Sequence, residues 1–375
     1  MTKPLTSLAL SALLATPALP LWAATCEDRI EDYESRITLC AAEAAAAANP
    51  DDAAVALGYQ GEAERMLGRL DQAEATLQQA LSLSPRNGWY WVELGHVRFD
   101  GGDVSGALGH YGTALELSPG DPYPLINRAD AWSVLGAPDR CLTDSAAALA
   151  IDPGYTYAHL IHARCLIGTG RADEALTHLD PLIAADPAWL DPALARVQAL
   201  TDLGRPAEAV AGADQALAAA GGGDGGAADA LLIARLRANI DLMPLDALLA
   251  EADGLASRLA DAPDLADARA RALLKAGRVD EAETAAAPLA ALSGTLEMSG
   301  YFHDTLARID LARGRTDAAL RNLGRALALE PRLAKRYARQ LSEQGYLPLS
   351  IQTANLVKAL MRCFEERGQD CRVGG

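Results

Sequence analysis

A period of 34 residues runs through most of this chain and constrains its fold more than any other feature. Glycines, small residues and prolines each recur at that spacing. The glycine column is Gly68, Gly102, Gly136, Gly170 and Gly204. The small-residue column is Ala73, Ala107, Cys141, Ala175 and Ala209, and the proline column is Pro85, Pro119, Pro153 and Pro187. Three columns with one period indicate a stack of similar units, each burying its apolar face against its neighbours.

Each period has the pattern helix, glycine turn, helix and proline stop. In the unit at 88–119, Gly101 and Gly102 provide a turn where a positive φ costs glycine little. Asp103 can cap the second helix, and Pro119 cannot continue it. Hydrophobic residues make up 50% of the chain but aromatic residues only 5%, and alanine, the best helix former, supplies much of the difference. The sequence therefore predicts an all-α chain.

This pattern resembles the tetratricopeptide repeat (TPR), whose W-x2-L-G-x2-Y, A-x3-F-x2-A and P positions it matches. The unit at 88–119 matches best, although Arg98 replaces the usual tyrosine; its matching residues are Trp91, Leu94, Gly95, Ala107, Tyr111, Ala114 and Pro119. The units at 54–85, 122–153 and 156–187 also match well, 190–220 matches more loosely, and the pattern returns at 263–294 and 300–331. The resemblance implies an α-solenoid of TPR helix-turn-helix repeats, in two segments joined by a Gly-rich linker.

The glycine-rich run GGGDGG at 221–226 interrupts the period. Such a run cannot form a helix interior, so it is predicted to be a flexible linker between two segments of the array. Residues 332–375 are predicted to form two helices that cap the last repeat, since a terminal repeat must cover its apolar face. The predicted regions are 1–24 (signal peptide), 25–53 (N-terminal helical cap), 54–220 (TPR array of about five repeats), 221–226 (linker), 227–331 (a degenerate helical pair and TPR repeats) and 332–375 (C-terminal helical cap).

The first 24 residues have the pattern of a secretory signal. Lys3 gives a basic start, residues 5–14 are uncharged and mostly apolar, and Pro17 and Pro20 interrupt any longer helix. Ala23 and Ala24 are small enough for a cleavage site. The segment is too short and too interrupted for a good membrane span. We therefore expect a periplasmic or secreted protein that does not insert into a membrane after cleavage.

All six cysteines follow this segment, and an even number in an exported chain indicates disulfides. Within the TPR architecture, Cys141 near the start of one second helix should lie beside Cys165 near the end of the next first helix. Two buried thiols are the alternative for these residues. Cys363 and Cys371 can pair if the chain turns at Gly368. A Cys26–Cys40 pair requires the chain before about Tyr33 to fold back, because one straight helix would hold the two residues ~21 Å apart.

The sequence lacks the motifs of the common catalytic sites. It contains no phosphate-binding loop, no zinc-protease motif and no nucleophile elbow, so we predict no enzyme activity, no cofactor and no metal. His159 and His162 could share a metal on one helix, but both occupy packing positions of their repeat. The net charge of -17 disfavours nucleic acid and anionic lipid, whose binding depends on lysine and arginine.

The TPR resemblance also implies a binding surface, because the first helix of each repeat lines the concave face of such arrays. Aromatic rings recur there and would suit an extended peptide or a partner helix. The alternative is that the rings pack between neighbouring repeats, with Trp89 balanced between the two. The same phase places six further residues on this face, namely Glu62, Arg65, Glu93, Ile126, Asp130 and Ile161. The residues predicted to bind a protein or peptide partner are Tyr59, Trp89, Val92, His96, Phe99, Tyr123, Asn127, Tyr157, Leu160 and Arg164.

Two functions fit these features. The first is a non-catalytic interaction scaffold of the cell envelope that holds a peptide or partner protein in the concave TPR groove. The second is an envelope structural protein that contacts peptidoglycan through residues 332–375, whose ending has a faint likeness to peptidoglycan-binding modules.

Overall fold

The computed structural model describes residue 26 and residues 32–222, 225–259, 262–292, 299–330, 333–334, 337–338, 341–342, 344–346 and 353–367. All regular secondary structure in these residues is helical, which confirms the predicted all-α fold. The helices are α1 (Tyr33–Ala46), α2 (Pro50–Met66), α3 (Leu70–Leu83), α4 (Gly88–Asp100), α5 (Val104–Leu117), α6 (Pro122–Val134), α7 (Pro138–Ile151), α8 (Thr156–Gly168), α9 (Ala172–Ala185), α10 (Leu190–Asp202), α11 (Pro206–Ala219), α12 (Gly226–Asn239), α13 (Leu245–Leu259), α14 (Pro263–Lys275), α15 (Val279–Ala285), α16 (Ala287–Ala291), α17 (Gly300–Ala312), α18 (Thr316–Leu329) and a C-terminal helix, Thr353–Arg367.

The helices begin and end near the glycines and prolines that recur in the 34-residue period. Glycines in the turns between paired helices adopt positive φ, as the predicted turn requires; Gly102 has φ 82° and Gly170 has φ 76°. Five second helices, α3, α5, α7, α9 and α18, end two residues before the proline of their repeat, because the residue before a proline is disfavoured in helical conformation. Side chains accept hydrogen bonds from backbone N–H groups at the starts of several helices, namely those of Asp32, Asn49, Asn87, Asp103, Asp121 and Ser299.

Small residues let the paired helices approach closely. The column containing Ala73, Ala107 and Cys141 is fully buried. Where the partner is large, the first helix carries glycine: a Cβ on Gly95 would overlap the ring of Tyr111. This alternation of large and small residues fills the space between helices without overlap.

The described residues form two compact units, divided between Pro119 and Gly120. Unit 1 contains α1–α5, and its first helices α2 and α4 pack against each other. Unit 2 contains α6 onwards, and its first helices pack in succession, α6 on α8, α8 on α10, α10 on α12, α12 on α14 and α14 on α17. Each second helix packs against the first helix of its own repeat, as expected for stacked TPR units.

The glycine run at 221–226 separates two helices but does not separate two cores. Helix α12 begins at Gly226 and packs on both α10 and α11. Leu231 of α12 belongs to the same buried cluster as Leu200 and Ala213 from the helices before the run. The packing of unit 2 therefore continues across the glycines.

The C-terminal residues cover the last helix pair. Leu333, Tyr337 and Leu341 are buried, and they share one apolar cluster with Leu360 of the C-terminal helix and Leu323 of α18. This cluster closes the apolar face that α17 and α18 would otherwise expose to water.

Disulfides join Cys26 to Cys40 and Cys141 to Cys165, as the sequence predicts, with Cα atoms 5.0 Å and 5.6 Å apart. Helix α1 begins at Tyr33, so Cys26 precedes the helix and reaches Cys40 by the folding back that this pair requires. Cys363 is buried and disulfide-bonded. Cys371 lies outside the described residues, so the Cys363–Cys371 pair stays a prediction.

Candidate partner-binding surfaces

In unit 1, the predicted aromatic residues pack against their own protein. The ring centroids of Tyr59 and Trp89 lie 4.8 Å apart, and those of Trp89 and Tyr90 lie 5.3 Å apart. On the other side, the Arg36 guanidinium lies 5.1 Å from the centroid of the Tyr59 ring. We call Arg36, Tyr59, Trp89 and Tyr90 the unit 1 ring stack. Trp89 also lies directly over Gly58, whose missing side chain makes room for the indole.

The rest of the predicted site in unit 1 is polar and partly enclosed. His96 and Phe99 are half-buried. The Glu93 carboxylate, with 3% of the residue exposed, lies 3.4 Å from His96 Nδ1 and 3.7 Å from Arg65 Nε. Arg65 also forms an ion pair with Asp100 at 2.7 Å. These groups tie α2 to α4, so in unit 1 most of the predicted contacts serve the packing of the two helices.

Two residues of the predicted site are buried, which corrects the prediction for them. Val92 and Leu160 are each 1% exposed, and Leu160 belongs to the core cluster formed by α8, α9 and α10. The predicted phase assigned both to the concave face, but in the structure both are buried among packed helices. A ligand cannot reach either side chain.

In unit 2, the predicted residues form a more open surface. Tyr123 is 37% exposed, and Asn127 follows it one turn later on α6, where its Nδ2 donates to the backbone oxygen of Tyr123 at 2.9 Å. Tyr157 and Arg164, from the next first helix, are half-buried. Tyr157 also packs on the core cluster of α8, α9 and α10, so Tyr123 is the more accessible of the two rings. An accessible aromatic face is suited to binding an extended chain.

Two carboxylates share the single guanidinium of this surface. Arg164 Nη2 lies 3.2 Å from Asp191 Oδ1, and Arg164 Nη1 lies 4.0 Å from Asp130 Oδ1. Trp189 Nε1 donates to the other oxygen of Asp191 at 3.3 Å. We define the unit 2 surface by six residues from α6, α8 and α10: Tyr123, Asn127, Asp130, Tyr157, Arg164 and Asp191.

Sequence reasoning placed Asp130 on this face without selecting it, and it missed Asp191. The signal for Asp191 was present, because it stands 34 residues after Tyr157 and so occupies the same position of the next repeat. The aromatic pattern of this position in the two preceding repeats, Tyr123 and Tyr157, does not indicate an aspartate there.

The electrostatics of the unit 2 surface disfavour further negative charge. Burial raises the pKa of Asp130, and the Asp191 carboxylate raises it further, while Arg164 opposes both effects. Burial, reinforced by the Asp130 carboxylate, raises the pKa of Tyr157 to about 12. Tyr157 therefore stays protonated at neutral pH and can donate a hydrogen bond.

Half of the chain's six histidines meet between α8 and α9. His159 Nδ1 and His178 Nδ1 lie 2.8 Å apart, and the ring centroids of His162 and His178 are 4.9 Å apart. His162 Nδ1 also pairs with Ser145 Oγ at 2.9 Å, beside the Cys141–Cys165 disulfide. The sequence predicted structural roles for His159 and His162, and in the structure both make packing contacts within their repeat.

Among the described residues, no three His, Cys, Asp or Glu side chains are grouped so that they could hold a metal ion. Within the same residues, no helix combines the length and apolarity needed to cross a bilayer.

Stacked helix pairs with a glycine turn and small interlocking residues define an α-solenoid repeat protein. Models of the tetratricopeptide repeat match residues 60–87 and 144–201. The chain therefore contains tetratricopeptide repeats, as its sequence pattern predicted.

Solved structures similar to the chain have the same fold. A tetratricopeptide repeat protein from Parabacteroides merdae is 19% identical, with a TM-score of 0.52 over 65% of this chain and 93% of its own. PilW, a type IV pilus biogenesis factor, is 17% identical, with a TM-score of 0.51 over 57% of this chain and 96% of its own. Human IFIT1, solved as a dimer with PPP-AAAA, is 14% identical, with a TM-score of 0.54 over 90% of this chain and 84% of its own. At these identities the likeness shows the fold alone. No curated protein matches the chain by sequence.

Proposed function

We propose that this protein is a non-catalytic interaction scaffold of the cell envelope, and that it holds a peptide or a partner protein on the unit 2 surface. The observation that carries the proposal is the 37% exposure of Tyr123, which shares helix α6 with Asn127, while Tyr157 on the next first helix is half-buried. Accessible rings of this kind contribute large contact area with little loss of rotamer freedom when a partner binds.

The envelope location is supported by two features of the chain. Residues 1–24 have the basic start, apolar stretch and small residues of a secretory signal. The Cys26–Cys40 and Cys141–Cys165 disulfides are of a kind that persists in oxidising compartments outside the cytoplasm. Fractionation of cells, followed by N-terminal sequencing of the chain, tests this part of the proposal. A cytoplasmic chain that keeps residues 1–24 contradicts it.

Affinity capture from the envelope fraction, followed by mass spectrometry, tests the binding function. The Tyr123→Ala/Asn127→Ala variant removes a ring and an amide from the unit 2 surface and should lose the captured partner. Ile151→Ala is the matched control, because Ile151 is an exposed apolar residue at the end of the second helix α7. Equal recovery of the partner by wild type, double variant and control would rule out the unit 2 surface.

A further inference from the structure

The unit 2 surface carries more negative than positive charge at close range. Asp130 and Asp191 face one cation, Arg164, and the distance of 4.0 Å between Arg164 and Asp130 is too long for a hydrogen bond. Among the described residues, no side chain or backbone group donates a hydrogen bond to the Asp130 carboxylate. Asp191, by contrast, accepts from both Arg164 and Trp189. Asp130 therefore retains capacity for a further donor.

Asp130 lies among the other residues of the unit 2 surface, where a ligand could donate a hydrogen bond to its carboxylate. It follows Tyr123 and Asn127 on one stripe of α6, and Arg164 and Tyr157 approach it from α8. Burial raises its pKa, which means that the ionised carboxylate is poorly solvated where it stands. A cation beside Asp130 would offset that loss of solvation, whereas an anion would add to the repulsion.

The neighbouring rings suit the same kind of ligand. Tyrosine faces attract ammonium and guanidinium groups, and the aliphatic stems of lysine and arginine pack on aromatic surfaces. The chain as a whole, with a net charge of -17, would attract a basic segment from a distance. A free C-terminal carboxylate would instead meet Asp130 and Asp191.

We propose that the unit 2 surface recognises a lysine or arginine side chain of an extended partner segment, with the stem of that side chain on Tyr123 and Tyr157 and its cationic head against Asp130 and Asp191. The inference rests on the proposed function and specifies the chemistry of the partner at this surface.

Fluorescence anisotropy with three labelled decapeptides on the purified full chain tests this inference. The probes alternate alanine with lysine, with glutamine or with glutamate. We expect saturable binding of the lysine peptide alone, weakened by added salt because partly exposed charges are screened. Asp130→Asn/Asp191→Asn should weaken binding of the lysine peptide by about tenfold or more, since the cation loses both of its charged acceptors.

The matched control is Asp139→Asn/Asp173→Asn, which removes the same two charges from exposed positions on the second helices α7 and α9. It should bind the lysine peptide as wild type does. A charge reversal, Asp191→Lys, should transfer binding from the lysine to the glutamate peptide. Circular dichroism melting of each variant shows whether it is folded, and the gain of glutamate binding cannot arise from unfolding.

Three outcomes would overturn the inference. They are equal weakening by the control variant, which indicates non-specific attraction; equal binding of the glutamine peptide, which indicates recognition without charge; and no binding of the lysine peptide. The capture experiment is separate, because a partner that is lost on Tyr123→Ala/Asn127→Ala but kept on Asp130→Asn/Asp191→Asn supports the scaffold function while contradicting the cationic contact.

Discussion

Unit 1 and unit 2 carry aromatic residues at the same position of successive repeats but use them differently. Trp89 in unit 1 lies over Gly58 and makes tilted ring contacts with Tyr59 and Tyr90. The residue at the same register before Tyr157 in unit 2 is Ile126, which is fully buried. Gly58 thus leaves room for the indole of Trp89, whereas Tyr157 is half-buried and packs on the core cluster of α8, α9 and α10.

The charges differ in the same way. In unit 1, Glu93 is buried between Arg65 and His96, and the ion pairs join α2 to α4. In unit 2, Asp130 and Asp191 share Arg164 at the surface. The position of a residue in the repeat therefore determines the helix and the face from which its side chain extends. The neighbouring side chains determine whether it packs within the unit or stays accessible.

The largest expected effects on stability come from removing the disulfides. Two variants each remove a disulfide from a different unit, so they test whether the units unfold separately. Cys141→Ala/Cys165→Ala should lower the free energy of unfolding of unit 2 by about 3.5 kcal/mol, because it releases a loop with a sequence separation of 24 in the unfolded chain. Cys26→Ala/Cys40→Ala should lower that of unit 1 by about 3 kcal/mol, for a separation of 14.

Urea unfolding followed by tryptophan fluorescence can measure both effects. Trp89 and Trp91 report on unit 1, and Trp132 and Trp189 report on unit 2. Each variant should shift the transition of its own unit. A variant that shifts neither transition would show that its disulfide does not restrict the unfolded chain.

The next effect compares the two aromatic positions directly. Trp89→Ala should destabilise unit 1 by about 2–3 kcal/mol, because it leaves a gap over Gly58 and removes two ring contacts. Tyr123→Ala should change the stability of unit 2 by less than about 1 kcal/mol, since Tyr123 is 37% exposed in the folded chain. Urea titrations monitored by circular dichroism give both values, and similar losses in the two variants would remove the distinction between packing ring and surface ring.

The smallest effect concerns pH. Burial and the neighbouring histidines lower the pKa of His162 to about 4, and burial also lowers the pKa of His178. Because these folded values lie below the unfolded value of about 6.5, the unfolded chain binds more protons below that pH, and stability falls as the pH drops from about 6.5 towards 4. After allowance for partial exposure, we expect unit 2 to lose about 1 kcal/mol between pH 7 and pH 5.

The control for the pH effect is His162→Gln, which keeps a polar side chain beside Ser145 but does not titrate in this range. It should reduce the loss of stability of unit 2 on acidification. Thermal melts recorded from pH 7 to pH 5 on wild type and variant measure the difference, and parallel curves would show that His162 does not contribute.

The sequence predicted much of the fold because the turns and helix ends of each repeat depend on residues that are close together in the chain. Gly102 permits a positive φ, Asp103 caps a helix, and Pro119 follows the end of one, and each acts within a few residues of the chain. The Cys141–Cys165 contact followed from the same regularity, since stacked units of equal length place equivalent residues side by side.

The candidate site was less predictable because exposure depends on neighbouring helices. Val92 and Leu160 had the right spacing for the groove, and both are buried. Asp191 has the same spacing, but the aromatic pattern of that position does not indicate a carboxylate.

By itself, the sequence determined that the chain is a stack of TPR helix pairs, with its turns, helix ends and small packing positions, because these depend on backbone conformation and on spacing along the chain. Only the tertiary structure decided that Trp89 belongs to the packing of unit 1, and that Asp130 and Asp191 share Arg164 on unit 2. Such outcomes are set by distances of a few ångströms between side chains from different repeats, and the periodicity of a sequence does not specify those distances.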